Sequence, residues 1–199
     1  METRCPFCRD PAATTDMERV KKTEERLKHG DKEAYFMLGC RYYEGMSPFK
    51  KNRKKGVEFF NQAADLGSEE AHHSLGMIHY NGVGVKKNEK KVFYHLRLAA
   101  IGGVLEARHF LGQAFLQGNP KNLKLAYKHF VIAAEAGHDK SLKEVKTGYS
   151  EGHVEKDVFE KVLRAHRAAQ EEVKSEAREK AAKLYHRERG FIATNTVYK

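Results

Sequence analysis

The stretch Ala71-His72-His73-Ser74-Leu75-Gly76-Met77-Ile78-His79-Tyr80-Asn81-Gly82 decides how this chain folds, because its pattern stands twice more in the sequence. It occurs 37 residues earlier as Ala34-Tyr35-Phe36-Met37-Leu38-Gly39-Cys40-Arg41-Tyr42-Tyr43-Glu44-Gly45. It returns 36 residues later as Ala107-Arg108-His109-Phe110-Leu111-Gly112-Gln113-Ala114-Phe115-Leu116-Gln117-Gly118. Between the copies lies a second shared block: Ala63-Ala64-Asp65-Leu66-Gly67, then Ala99-Ala100-Ile101-Gly102, then Ala133-Ala134-Glu135-Ala136-Gly137. Each unit therefore has two halves, and self-similarity at this period marks an array whose units bury their apolar faces against their neighbours.

Both halves read as helices. Ala34, Leu38 and Tyr42 fall four apart on one face, as do Gly56, Phe60 and Ala64 with Phe59 and Ala63 beside them. Gly45, Gly82 and Gly118 stand where the first helix should stop, and Gly67, Gly102 and Gly137 where the second should. That is the left-handed position glycine occupies most readily. Gly39, Gly76 and Gly112 instead fall inside the first helix, where glycine is about 1 kcal/mol less favourable than alanine. Close backbone approach to a neighbouring helix, helped by the facing Ala-Ala pairs, is the expected compensation.

This pattern resembles the Sel-1-like repeat family, whose units run A-x-x-x-L-G-x-x-Y-x-x-G-x-G-V, then a basic-polar turn, then a second helix with an aromatic and A-A-x-x-G. The second unit follows it in Ala71, Leu75, Gly76, Gly82, Val83, Gly84, Val85, Ala99 and Ala100, with His79 at the family's aromatic position and Tyr80 next to it. The first unit departs in its turn, Met46-Ser47-Pro48, and the third has Asn119-Pro120, so turns of different shape are expected. A fourth, eroded unit from Ser141 to Ala165 keeps Gly148, Tyr149, Gly152 and Phe159 but loses the Leu-Gly pair, as an end cap would. The resemblance implies an all-α fold, a right-handed α-solenoid of antiparallel helix pairs over residues 31–165.

The flanks read separately. Residues 15–30, with Asp16 as cap, Val20 and Leu27 as apolar positions and Gly30 as stop, predict an N-terminal capping helix. Residues 155–189 contain neither Gly nor Pro and are rich in Ala, Glu, Lys and Arg, which predicts a long helix. Its later part, within 166–199, is nearly all polar and should project into solvent with pairs such as Glu176–Lys180, fraying after Gly190.

Composition limits the function classes. No stretch approaches the roughly 20 apolar residues a membrane-spanning helix needs. Residues Met1 to Cys5 lack the apolar run of a secretion signal, and an odd number of cysteines, 3, does not suit a disulfide framework. A cytoplasmic protein is expected. The net charge of +10 is thinly spread, its one dense point being Lys50-Lys51-Asn52-Arg53-Lys54-Lys55, a candidate nuclear-import signal or phosphate contact, or simply a solvated loop. The even mixture of Glu with Lys and Arg after Ala165 speaks against a nucleic-acid partner.

Residues 1–14 carry the sharpest chemical motif, Cys5-Pro6-Phe7-Cys8, whose two thiolates suit one Zn²⁺ as half a site. It resembles the closing C-P-x-C of a RING finger, with Cys5 and Cys8 at the last two ligand positions. The six upstream ligands have no counterpart. A truncated or mis-started reading frame, a working RING and an unrelated cysteine pair all stay open, and zinc is expected only if the missing ligands come from outside this chain. Cys40, in the first-helix pattern, reads as a small core residue. The 11 histidines form no His-x3-His pair with a nearby carboxylate. His95 and His129 occupy the second-helix slot where the family often has Trp, so each should pack between helices. No catalytic constellation and no cofactor are expected.

The resemblance implies a non-catalytic adaptor holding protein partners on the concave face lined by first helices. Arg41, Glu44, His72, His73, His79, Arg108, His109 and Gln113 are the expected exposed, partner-binding residues there. Two alternatives are the substrate-recruiting part of a RING-type ubiquitin ligase and a basic nucleic-acid-binding surface.

Overall fold

A computed structural model describes residues 16–118 and 120–195. Its elements in chain order are α1 (Asp16–Lys28), α2 (Lys32–Glu44), α3 (Arg53–Asp65), α4 (Glu69–Asn81), α5 (Glu89–Ile101), α6 (Leu105–Gln117), α7 (Leu123–Glu135), α8 (Asp139–Ser150) and α9 (Lys156–Asn195). Among the described residues there is no strand. Two compact units divide inside α6, between Ala114 and Phe115.

Local chemistry sets the helix ends. Asp31 and Ser68 begin α2 and α4, the Asp31 carboxylate accepting from the N–H groups of Glu33 and Ala34 and the Ser68 hydroxyl from that of Ala71. The second helices begin on asparagine: Asn52, Asn88 and Asn122 accept from the N–H groups of Lys55, Lys91 and Leu125. Each such cap satisfies a donor that the helix itself cannot, worth about 1 kcal/mol. Gly45 and Gly82 end α2 and α4 at φ 77° and 71°, in the left-handed region.

Second helices stop differently. Their left-handed residue stands two places beyond the last helical one, at Gly67 and Gly137. The expectation for Gly102 is therefore corrected: it stays at φ −72°, and Gly103 takes φ 93°. α5 ends at Ile101, so the second position beyond it is 103.

In the first unit, α1 buries Val20 and Thr23, and its Arg26 reaches Asp31 at 2.6 Å and Glu33 at 3.0 Å. Phe60, Ala63, Ala64, Ala71, Leu75 and Ile78 form one core cluster, with Tyr35, Phe36 and Tyr43 packed on it. Val92, Leu96, Ala99, Ala100, Ala107 and Leu111 form the next. The helical glycines stand where helices cross. A Cβ on Gly39 would lie 2.5 Å from the Phe60 ring, and one on Gly56 would lie 2.8 Å from the Tyr43 backbone nitrogen and 2.9 Å from the Gly39 carbonyl. At Gly76 it would meet Leu96 at 2.7 Å.

In the second unit, Ala126, Tyr127, Phe130, Ala134, Val145, Val154 and Val162 make the core, joined by Phe115, Leu116, Leu142 and Phe159. The eroded fourth copy is thus a real helix pair, α8 with the start of α9. Gly190 does not end α9, which continues to Asn195; a lone glycine inside a helix weakens it without obliging it to stop. Side chains 171–176 are exposed, as a polar projecting helix requires.

A stacked ring pair joins the two helices of every unit. Tyr42 lies on Phe59 (centroids 5.5 Å apart, planes at 12°), His79 on His95 (6.0 Å, 7°), Phe115 on His129 (5.6 Å, 10°) and Tyr149 on Phe159 (4.4 Å, 6°). The first members are one register position, at successive displacements of 37, 36 and 34 residues.

Leu96 is fully buried, so it cannot swing aside for a larger neighbour. Gly76→Leu should therefore cost about 1–3 kcal/mol through overpacking, a fall of several degrees in melting temperature. An unchanged melting curve would refute the close-approach argument.

Candidate protein-binding face

Register explains what each first-helix side chain faces. Arg41 occupies the position of Ile78 and Ala114, both buried, and is itself only 6% exposed; its Nη1 donates to the Ser47 carbonyl at 2.8 Å. His79 shares a position with Tyr42 and Phe115 in the stacked pairs, and His109 shares one with Phe36, which packs on the core. Both histidines are buried. Arg41, His79 and His109 therefore do not line an exposed groove: their polar groups belong to the packing between helices. His72, His73, Arg108 and Gln113 are half-buried. Glu44 is exposed, 3.9 Å from Lys51.

The open row of the first helices lies on the flank of the Ala-Leu face. Glu33, Glu70 and Glu106 occupy one register and are all exposed; Glu44 and Asn81 occupy another and are exposed as well. Half-buried Met37, Ser74 and Phe110, then Cys40, Met77 and Gln113, stand between them. Of the expected partner residues, Glu44 and Gln113 belong to this row. Its remaining members were readable from the i, i+4, i+7, i+11 spacing of positions 33, 37, 40 and 44, repeated in each copy. Cys40 also packs against the Phe60–Leu75 cluster, as a small core residue does.

The histidines converge in the second repeat. His95 is 8% exposed; its Nδ1 lies 3.1 Å from that of His72, His79 stacks on it, and Tyr94 meets it edge-on at 5.0 Å. One nitrogen of the 3.1 Å pair must donate and the other accept, so the pair holds only while at least one ring is neutral. Burial, then the neighbouring His72, His79 and Lys91, pushes the His95 pKa down to about 4. Burial likewise lowers His72, where Asp65 and Glu69 pull the other way. It also lowers His79 and His73. Among the described residues no group of three or more His, Cys, Asp or Glu side chains is placed to hold a metal ion. Cys5 and Cys8 lie outside the described residues. His129, half-buried, packs on Phe115 as expected of its slot.

The family model described as Sel1 repeat matches residues 32–68, 69–104 and 105–138, more than half of the chain. This chain belongs to the Sel1 repeat family. The matches coincide with the pairs α2/α3, α4/α5 and α6/α7, and the fourth pair lies beyond them. The crystal structure of a Sel1 repeat protein from Oxalobacter formigenes resembles it with a TM-score of 0.66 at 23% identity, over 77% of this chain and 63% of that one. This chain thus spans less than two thirds of that protein's length. The crystal structure of c5321, a protective antigen present in uropathogenic Escherichia coli strains displaying an SLR fold, matches with a TM-score of 0.48 at 20% identity, over 86% of this chain and 44% of that one. The likeness to the Oxalobacter protein establishes the fold class, an all-α solenoid of Sel1 helix pairs. Proteins of this family generally act as protein-interaction scaffolds and are typically non-catalytic. None of the described helices is long and apolar enough to cross a membrane.

Acid should loosen the second repeat. The unfolded chain takes up a proton at His95 from about pH 6.5 downward and the folded chain only near 4, so this contribution is full above 6.5 and is lost as pH falls through that window. The loss is of order 3 kcal/mol. His95→Phe installs the residue that Phe59 represents in the first repeat, and should reduce the fall of the urea midpoint between about pH 6.5 and 4, leaving the smaller share that His72, His73 and His79 contribute. An equal acid loss in both proteins would show that the histidine is not its source.

Proposed function

We propose that this Sel1 repeat chain is a non-catalytic scaffold that binds protein partners on the open row of its first helices, and that it does so without a cofactor. The observation that carries this reading is the repetition of the row itself. Glu33, Glu70 and Glu106 stand at one level and Glu44 and Asn81 at another, all exposed, while the faces beside them are committed to the core. A row of equivalent side chains on successive helices gives an extended partner contacts at regular spacing, which is how repeat arrays build binding surfaces. Glu44 and Gln113 are the expected partner-binding residues that the reading retains, with half-buried His72, His73 and Arg108 at its margin.

The test is purification of the tagged full chain from its native lysate at moderate and at high salt, with protein and nucleic acid both quantified. Glu44→Lys with Asn81→Lys is run in parallel. Both positions are the last residues of their helices, where lysine complements the helix dipole, so the fold should be kept. Discrete proteins that survive high salt and are depleted at least tenfold by the double substitution are expected. Recovery of nucleic acid alone, released by salt, would replace this reading with the basic-surface one.

A further inference from the structure

The three repeats serve as controls for one another, and the outer face of α5 departs from the other two. Tyr94 stands where the first repeat has Glu58 and the third Lys128; Ile101 stands where they have Asp65 and Glu135. A charged residue at each of these positions is what a solvated helix face requires. Yet Tyr94 is 60% exposed and Ile101 76%. Val92, Leu96, Ala99 and Ala100 fill the core beneath, and Tyr94 meets His72 and His95 edge-on, at 6.3 and 5.0 Å, while most of its ring stays in solvent.

These two residues belong to one stripe. Lys90, Tyr94, Arg97 and Ile101 are spaced i, i+4, i+7, i+11 on α5, and all four are exposed. The surroundings are basic. Lys86, Lys87 and Lys91 are exposed too, with Glu89 the one acidic residue between Gly82 and Ile101. Among the described residues none of these cations forms a side-chain ion pair within the chain. The first basic run adjoins them: the Tyr43 hydroxyl donates to the Val83 carbonyl at 3.0 Å, and a Cβ on Gly84 would lie 3.1 Å from Arg53. Arg53 of that run therefore adds a cation beside the turn that leads into α5.

We infer that the outer face of α5 is a second docking surface, separate from the first-helix row, and that its occupant is an acidic amphipathic helical segment of a partner protein. Two apolar anchors two turns apart, with an arginine between them and lysines at the near end, match a helix that presents apolar residues seven apart flanked by Asp and Glu. Tyr and Arg are also the side chains that most often dominate interface energetics. A phosphate backbone would use the cations but has nothing to offer Ile101. A second copy would bring the same basic face against this one.

The experiment is a display library of randomised helical peptides, selected on the full chain and counter-selected on the Tyr94→Glu, Ile101→Asp variant. That variant carries the residues of the first repeat at the same positions, so it should stay folded, with at most a modest fall in melting temperature from the lost edge contacts of Tyr94 with His72 and His95. Expected are peptides rich in Asp and Glu with apolar residues seven apart, binding the wild type at least tenfold more tightly than the variant. Lys90→Glu with Arg97→Glu should weaken them similarly, and added salt should do the same. Glu44→Lys with Asn81→Lys should leave them unaffected, which separates this surface from the first-helix row. Failure to recover any peptide that depends on Tyr94 and Ile101, or recovery of basic or uncharged ones, would overturn the inference. So would a self-association that the variant abolishes, or oligonucleotide binding that Tyr94→Glu and Ile101→Asp weaken.

Discussion

The closeness of α2 to α3 and of α4 to α5 is the constraint on which the rest of the first unit depends. At Gly39 and Gly76 the helix surface carries only a hydrogen, and the space a Cβ would take belongs to Phe60 and to Leu96. The crossing of α2 and α3 goes further, with Gly56 set against the backbone of Tyr43 and the carbonyl of Gly39. A helical glycine is about 1 kcal/mol less favourable than alanine. Its loss is offset because the short distance lets a neighbouring ring pair stack, worth about 0.5–1.5 kcal/mol beyond its buried area. The same distance lets small alanines such as Ala63, Ala99 and Ala133 be fully enclosed.

Much of this was legible in the sequence because it is written three times. The Leu-Gly pairs, the Ala-Ala pairs and the terminal glycines stand at matching positions, and repetition separates them from chance. The asparagines that cap α3, α5 and α7 repeat as faithfully, but they sit among lysines in turns that read as merely solvated. Gly102 and Gly103 are adjacent, and only the length of α5 decides between them. Arg41, His79 and His109 are buried for one reason that residue type hides: polar identity does not entail exposure. Register against Ile78, Tyr42 and Phe36 places all three on packing faces. An arginine can be held there with its stem in the core and its head on a loop carbonyl, as Arg41 is on Ser47.

The second repeat shows what substitution within a fixed packing scheme entails. Where the first repeat stacks Tyr42 on Phe59, this one stacks His79 on His95 in nearly the same geometry. An imidazole preserves the flat contact but brings two ring nitrogens into a site that phenylalanine fills without polar atoms. His72, where the first repeat has Tyr35, supplies one partner at 3.1 Å. The pair is therefore coupled: the histidine in the ring slot depends on the histidine opposite it, and both depend on at least one ring staying neutral.

Departures from a repeat thus fall into two kinds, and the distinction bears on function. His95 is an internal departure, and its neighbours answer it; stability alone accounts for the constellation. Tyr94 and Ile101 are external departures: Tyr94 touches His72 and His95 edge-on but leaves most of its ring in solvent, and Ile101 is more exposed still. Exposed apolar surface contributes little to folding, and in an array whose sister helices carry charge at the same positions it is not a by-product of the scaffold. The exposed surface of Tyr94 and Ile101 is what the proposed partner helix would cover. The family fold leaves the identity of a partner open, so in a repeat protein the side chains that break the repeat without serving the core are the best guide to where a partner binds.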